Sequence, residues 1–276
     1  MFEEGEKMPY ESEKGLELLA KYIGKPDKTN CYLSYPQLKS LLENNKGQIE
    51  FGSKCIYFLV EKDDYIELYF FADNIVDLSK EREYLQRILP SDKDVIISIV
   101  LNGKQVDKYE HIMQNLGFSL YKKYLRKKRK IDTSVEIPPQ ENVCLAEPAD
   151  IDFMKEMIFE TFDSISDKIP NRFELEKMIS NGQILKYVIT DRLAGFLIYE
   201  RQGKKSYVRM LCTGENFRGN GVGKSLLREY IKREYNHVKL FYLWVDSQNE
   251  AALSLYSKEG YISDGLEQYI FIRRCE

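Results

Sequence analysis

The stretch Phe217-Arg218-Gly219-Asn220-Gly221-Val222-Gly223-Lys224-Ser225-Leu226-Leu227 constrains the fold more than any other. An apolar run at residues 207–213 precedes it and reads as a strand. Leu226, Leu227, Tyr230 and Ile231 recur at helical spacing within residues 225–235. The glycines therefore stand on a strand-to-helix turn. Gly219, Gly221 and Gly223 keep side chains out of the way, so main-chain N–H groups can converge on one small concavity. The helix adds its unpaired N-terminal N–H groups and the positive end of its dipole. Such a turn suits a phosphate or pyrophosphate.

Three glycine-rich patterns compete for it. The dinucleotide fingerprint G-x-G-x-x-G fails, because Lys224 stands where its last glycine belongs. The nucleoside-triphosphatase loop G-x-x-x-x-G-K-[ST] fits at Gly223-Lys224-Ser225, but Arg218 holds its first glycine position. The pattern [R/Q]-x-x-G-x-[G/A] is met in full by Arg218, Gly221 and Gly223. A second strand follows at residues 238–245. Then comes a helix at 249–259 that carries Asn249, Ala252 and Tyr256 and is closed by Gly260-Tyr261. Asn249 and Tyr256 are seven apart and share one helical face.

With these parts in this order, residues 143–276 resemble the GNAT acyltransferases, whose second half reads strand, N-x-x-A-x-x-x-Y, then G-[F/Y]. The resemblance implies that residues 219–224 (Gly219, Asn220, Gly221, Val222, Gly223, Lys224) hold the pyrophosphate of acetyl-coenzyme A through main-chain N–H groups, with Arg218 adding charge. It implies that Leu211, Cys212 and Thr213 end a strand that splays from the next one and offers free backbone groups to the pantetheine arm. One N–H there would polarise the thioester oxygen. Asn249 would bind the arm or an ordered water. Tyr256 would protonate the departing sulfur, since a phenol (pKa ~10) and a thiol (~8.5) are close enough for assisted transfer. Cys212 invites a nucleophile reading; with no histidine nearby in sequence and a strand position, it reads as a small apolar residue. Trp244 occupies a position where some family members, including ones that acetylate protein N-termini, carry a glutamate. The base is then open among Glu160, Asp163, Glu200, Glu215 and a water chain.

Composition narrows the rest. The net charge is −3, so no global field draws the chain to nucleic acid or anionic lipid. Five scattered cysteines without a C-x-x-C suit a reducing cytoplasm, and two histidines with no cysteine pair argue against a metal site. The N-terminal stretch MFEEGEKMPYESEK is acidic and has no apolar signal core, and no apolar run approaches a membrane span. Oligomeric state is not readable.

In the first half, helices are expected at residues 12–23, 36–42, 79–89 and 106–116, and strands at 55–60, 65–72, 95–101 and 118–125. Residues 122–130 hold seven basic residues, read as a solvated strand end entering a Pro-Pro-containing linker at 132–142. The two halves end alike: residues 111–118 overlay 254–261, with Gly117 on Gly260 and Met113 on Tyr256. Residues 73–81, where a phosphate turn would fall, have no glycine. The expectation is an α+β chain of two GNAT-like domains, each a mixed, mostly antiparallel sheet flanked by helices. Residues 1–131 form a degenerate copy without a coenzyme A motif, and 143–276 the acetyltransferase. Its partners would be acetyl-coenzyme A and an amine-bearing, small-molecule acceptor. A non-catalytic acyl-coenzyme A sensor and a phosphate-loop nucleotide hydrolase are the alternatives.

Overall fold

The computed structural model describes residues 10–131 and 137–275. The acidic residues 1–9, and 132–136 of the expected linker, lie outside the described residues. In chain order the elements are α1 (Tyr10–Ala20), α2 (Tyr35–Glu43), β1 (Gly47–Phe51), β2 (Cys55–Glu61), β3 (Tyr65–Ala72), a 3₁₀ turn (Ile75–Lys80), α3 (Arg82–Ile88), β4 (Asp94–Asn102), α4 (Val106–Asn115) and β5 (Ser119–Lys130). They continue with β6 (Val143–Leu145), α5 (Ile151–Thr161), α6 (Arg172–Ser180), β7 (Ile184–Ile189), β8 (Arg192–Gln202), β9 (Lys205–Thr213), α7 (Val222–Glu234), β10 (Leu240–Asp246), α8 (Glu250–Lys258) and β11 (Ile262–Arg273).

Two compact units result: Met1–Lys123 together with Leu266–Glu276, and Tyr124–Gly265. The linear division expected from the sequence and this division by compactness differ in where they place residues 124–131 and 266–276.

In the first unit, β1, β2 and β3 run antiparallel in succession, and residues 266–273 of β11 pair antiparallel with β4. β3 and β4 are parallel, paired only from Tyr65↔Asp94 to Glu67↔Ile96. Strand alternation divides the side chains between two faces. Tyr57, Leu59, Leu68 and Phe70 pack with residues of α3 and α4. Phe58, Val60, Tyr69 and Phe71 pack with Leu16, Leu19 and Leu38 of α1 and α2. The helix expected at 79–89 is split into the 3₁₀ turn and α3. β1 escaped the sequence reading although Gly-Gln-Ile-Glu-Phe alternates, because the run is only five residues long.

The second unit orders its strands as β5 (residues 124–130), β10, β9, β8, β7 and β6. The α7 and α8 side is filled by Leu226, Leu227, Tyr230, Phe241, Leu243 and Val245. The α5 and α6 side is filled by Met154, Ile158, Leu175, Phe196, Ile198 and Met210. As expected, the basic run ends a strand, since β5 reaches Lys130; the correction is that this end is longer than 118–125 and half-buried, because Tyr124–Lys130 pairs with β10 from Asp246↔Tyr124 to Leu240↔Lys130. Leu125 packs against the core.

Candidate active site

The site is built where β9 and β10 part. Their parallel ladder runs from Leu240↔Lys205 to Leu243↔Val208 and stops. Beyond it β9 stays paired with β8 up to Gly195↔Thr213, across an irregularity between Ile198 and Tyr199. The backbone edge of residues 209–213 that faces β10 is therefore free of a strand partner. Leu211 and Thr213 lie half-buried on this edge, and Cys212 is buried.

After β9 the chain turns through Gly219 and Gly221, at φ +82° and +78°, the left-handed region where a side chain is strained. Gly221 caps α7 without a side-chain bond. Among the described residues, no acceptor takes the main-chain N–H groups of Gly219, Asn220, Gly221, Val222, Gly223 and Lys224; the first paired one is Ser225, which donates to the Gly221 carbonyl at 2.9 Å. Unbonded N–H groups at a helix start are the kind of arrangement that can receive an anion. Arg218, Gly219, Asn220, Gly221 and Lys224 are exposed, whereas the Val222 side chain is buried and anchors the helix.

Two glycines mark where these elements meet. A Cβ on Gly223 would lie 3.4 Å from Leu255 Cδ2, 3.6 Å from Thr213 Oγ1 and 3.9 Å from Leu211 Cδ2. The start of α7, the end of β9 and the middle of α8 thus converge. Gly195, which the sequence reading missed, lets Val222 seat on β8: a Cβ there would lie 2.8 Å from Val222 Cγ1 and 2.7 Å from the Cys212 carbonyl oxygen. Its signal was a glycine inside a strand pattern.

Tyr256 is buried on α8, its ring 5.8 Å from that of Tyr261. Its hydroxyl has no hydrogen-bond partner among the described residues, yet it is not among the sealed, unpartnered hydroxyls, as Tyr261 is. The hydroxyl therefore keeps access to open space. Burial raises its pKa above the ordinary phenol value, so it holds its proton at neutral pH. Asn249 caps α8, its Oδ1 accepting the Ala252 N–H at 3.0 Å, which leaves only its amide group for a ligand.

The Cys212 thiol is pushed up by burial and lies 3.3 Å from Thr161 Oγ1, as a packed core residue would. Trp244 is covered by Arg126, whose guanidinium carbon stands 5.8 Å from the ring centroid and whose Nη2 pairs with Asp264 at 2.7 Å. Among the base candidates, Glu160 and Glu215 are exposed, and Glu200 pairs with Arg209 at 3.2 Å. Asp163 Oδ1 accepts the N–H groups of Ile165 and Ser166, each at 2.9 Å, and so shapes its own loop. Tyr124 ties that loop to β5, donating to Asp167 at 2.7 Å.

The first unit repeats the layout with both ligand features closed. Its β3/β4 parting is filled by the chain itself. Asn30 Nδ2 donates to the carbonyls of Leu68 and Ser98 at 3.0 and 3.2 Å, and its Oδ1 accepts the Phe70 N–H at 2.8 Å. Its helix start is capped by Asn74, which accepts the Val76 N–H at 3.1 Å. Helix ends agree as well: Phe118 donates to the Met113 carbonyl and Tyr261 to the Tyr256 carbonyl, both at 2.9 Å, past glycines at φ +88° and +79°.

The family model described as "Acetyltransferase (GNAT) domain" matches residues 148–270. A comparison with curated proteins finds no match. Among solved structures, a GCN5-related N-acetyltransferase from Sphaerobacter thermophilus superposes with a TM-score of 0.61 at 14% identity, covering 89% of this chain and 87% of the other. A tandem GNAT protein from the clavulanic acid biosynthesis pathway gives 0.58 at 10% identity over 96% and 95%. A GNAT-family acetyltransferase from Colwellia psychrerythraea gives 0.54 at 11% identity over 90% and 99%. At these identities the likeness is one of fold, and it spans both units. Residues 148–270 thus carry a GNAT acetyltransferase domain.

Proposed function

We propose that the second unit transfers an acetyl group from acetyl-coenzyme A to a primary amine of a small-molecule acceptor, by direct attack of the amine on the thioester. The observation that carries this reading is a helix start with six unbonded N–H groups at residues 219–224 that meets the parted end of β9 and α8, the helix that carries Tyr256.

Acetyl-coenzyme A, when bound, supplies an activated carbonyl and a thiolate leaving group. The turn takes the pyrophosphate, with Arg218 adding charge. The free edge of residues 211–213 takes the arm by strand-like hydrogen bonds, and one N–H there stabilises charge on the carbonyl oxygen. The Tyr256 hydroxyl gives its proton to the departing sulfur. The proton leaving the amine nitrogen passes to water, because Trp244 offers no base and Glu200 and Asp163 are held by other groups. The first unit, with Asn30 and Asn74 in the places of arm and pyrophosphate, is a degenerate copy of the fold.

Calorimetric titration with acetyl-coenzyme A, and separately with ATP plus magnesium, tests this. One acetyl-coenzyme A per chain, not displaced by ATP, is expected, and an amine-library screen would then give turnover. Binding without turnover of any amine would favour a sensor. Binding of ATP alone would make the glycine turn a nucleotide loop, and two acetyl-coenzyme A per chain would refute the closed first unit.

A further inference from the structure

The basic run on β5 leaves a charge pattern that acetyl transfer does not use. Its last residues, Lys128, Arg129 and Lys130, join Arg228 of α7 and Lys258 of α8 in lining a cavity of about 550 Å³, with Glu259, Gly260 and Ile262. Five cations face one anion. Glu259 is buried, and its Oε2 accepts from Arg228 Nε at 2.9 Å. Arg129 is held differently: its Nη1 donates to the Glu259 carbonyl oxygen at 2.8 Å, so the group is fixed in place with its charge uncompensated. Lys128, Lys130 and Lys258 make no ion pair among the described residues. Like charges gathered around a concavity repel one another and focus a positive potential into it, which a multivalent anion relieves.

The cavity adjoins the glycine turn without sharing a residue with it. Lys258 lies one helical turn beyond Leu255, which meets Gly223, and Arg228 lies one turn beyond Lys224. Lys130 stands opposite Leu240, at the start of β10, whereas the strands part only after Leu243. The volume falls within the range of small-molecule pockets, about 300–1,000 Å³. We propose that this cavity binds a compact polyphosphate, inorganic or carried on a nucleoside, at the same time as acetyl-coenzyme A occupies the turn.

The test is titration of the full chain with inorganic tripolyphosphate, and separately with magnesium-free ATP, in the presence of saturating acetyl-coenzyme A. One equivalent of probe per chain is expected. The paired substitution K130Q/K258Q should weaken binding about tenfold or more by removing two charge-assisted contacts. Both lysines are exposed, so an unchanged melting temperature should accompany the loss. Gly221→Val should leave probe binding intact, whether or not acetyl-coenzyme A binds, so failure of this site is distinguishable from failure of the transferase reading. No binding, or binding lost in Gly221→Val but kept in K130Q/K258Q, would overturn the proposal. So would a K130Q/K258Q chain that no longer distinguishes coenzyme A from its 3′-dephospho form, because the cations would then serve the 3′-phosphate of coenzyme A.

Discussion

The Asn30 side chain bridges the parting of β3 and β4 in the first unit, reaching the Ser98 carbonyl at 3.2 Å while its other contacts fall on Leu68 and Phe70 of β3. One amide group thereby satisfies three main-chain groups that the diverging strands leave unpaired. Asn30→Ala should destabilise the chain by about 2–4 kcal/mol, because those groups would lose their partner inside the fold. Denaturant unfolding measures this. Acetyl-coenzyme A affinity should stay the same, and a matching loss of affinity would mean that the first unit takes part in binding.

In the second unit the seating of α7 on β8 depends on Gly195. Gly195→Ala should cost about 1–3 kcal/mol by overpacking, since the Cys212 carbonyl and Val222 cannot both withdraw. Displacement of Val222 moves the start of α7, so acetyl-coenzyme A affinity should fall with stability. Calorimetry on the folded variant checks this, and an unchanged affinity would separate Gly195 from the turn.

Tyr256→Phe should lower kcat by about 10²-fold while leaving acetyl-coenzyme A affinity nearly intact, because only the proton donor is removed. An equal loss of binding and turnover would make the residue a packing element. The raised pKa gives a second sign: Tyr256 should cause no loss of rate on the alkaline side until above the ordinary phenol value of 10.0.

Buried tyrosines also set a stability limit. Burial raises the phenols of Tyr124, Tyr230, Tyr256 and Tyr261 above 10.0. Above that value the unfolded chain loses these protons while the folded chain keeps them, so the unfolded state binds fewer protons and stability falls as pH rises. Their contribution is fully present below the unfolded value. Unfolding free energy measured between about pH 9 and about pH 11 should decline over that window; a flat profile would contradict the burial of these hydroxyls.

The glycine turn before α7 was legible in the sequence because a turn with positive φ angles calls for glycines, and Gly219 and Gly221 announce themselves without any knowledge of their neighbours. The Asn249–Tyr256 spacing was legible because helical geometry is local. The repeated helix ends at Gly117 and Gly260 were legible for the same reason: both depend on a few adjacent residues. What Gly195 must accommodate was not readable, since its constraint comes from Val222, 27 residues away. Nor was the use of the basic run, because strand pairing is set by a partner that the sequence does not name. Only the tertiary structure gave residues 124–130 to β10 and set Lys130 beside Lys258. Only it could place Asn30 in the β3/β4 parting, where a single polar side chain does locally what a bound arm would do. Local geometry fixes turns and caps within a few residues. The chemistry of a cleft depends on which distant groups are left unpaired when strands diverge, and that is decided by packing.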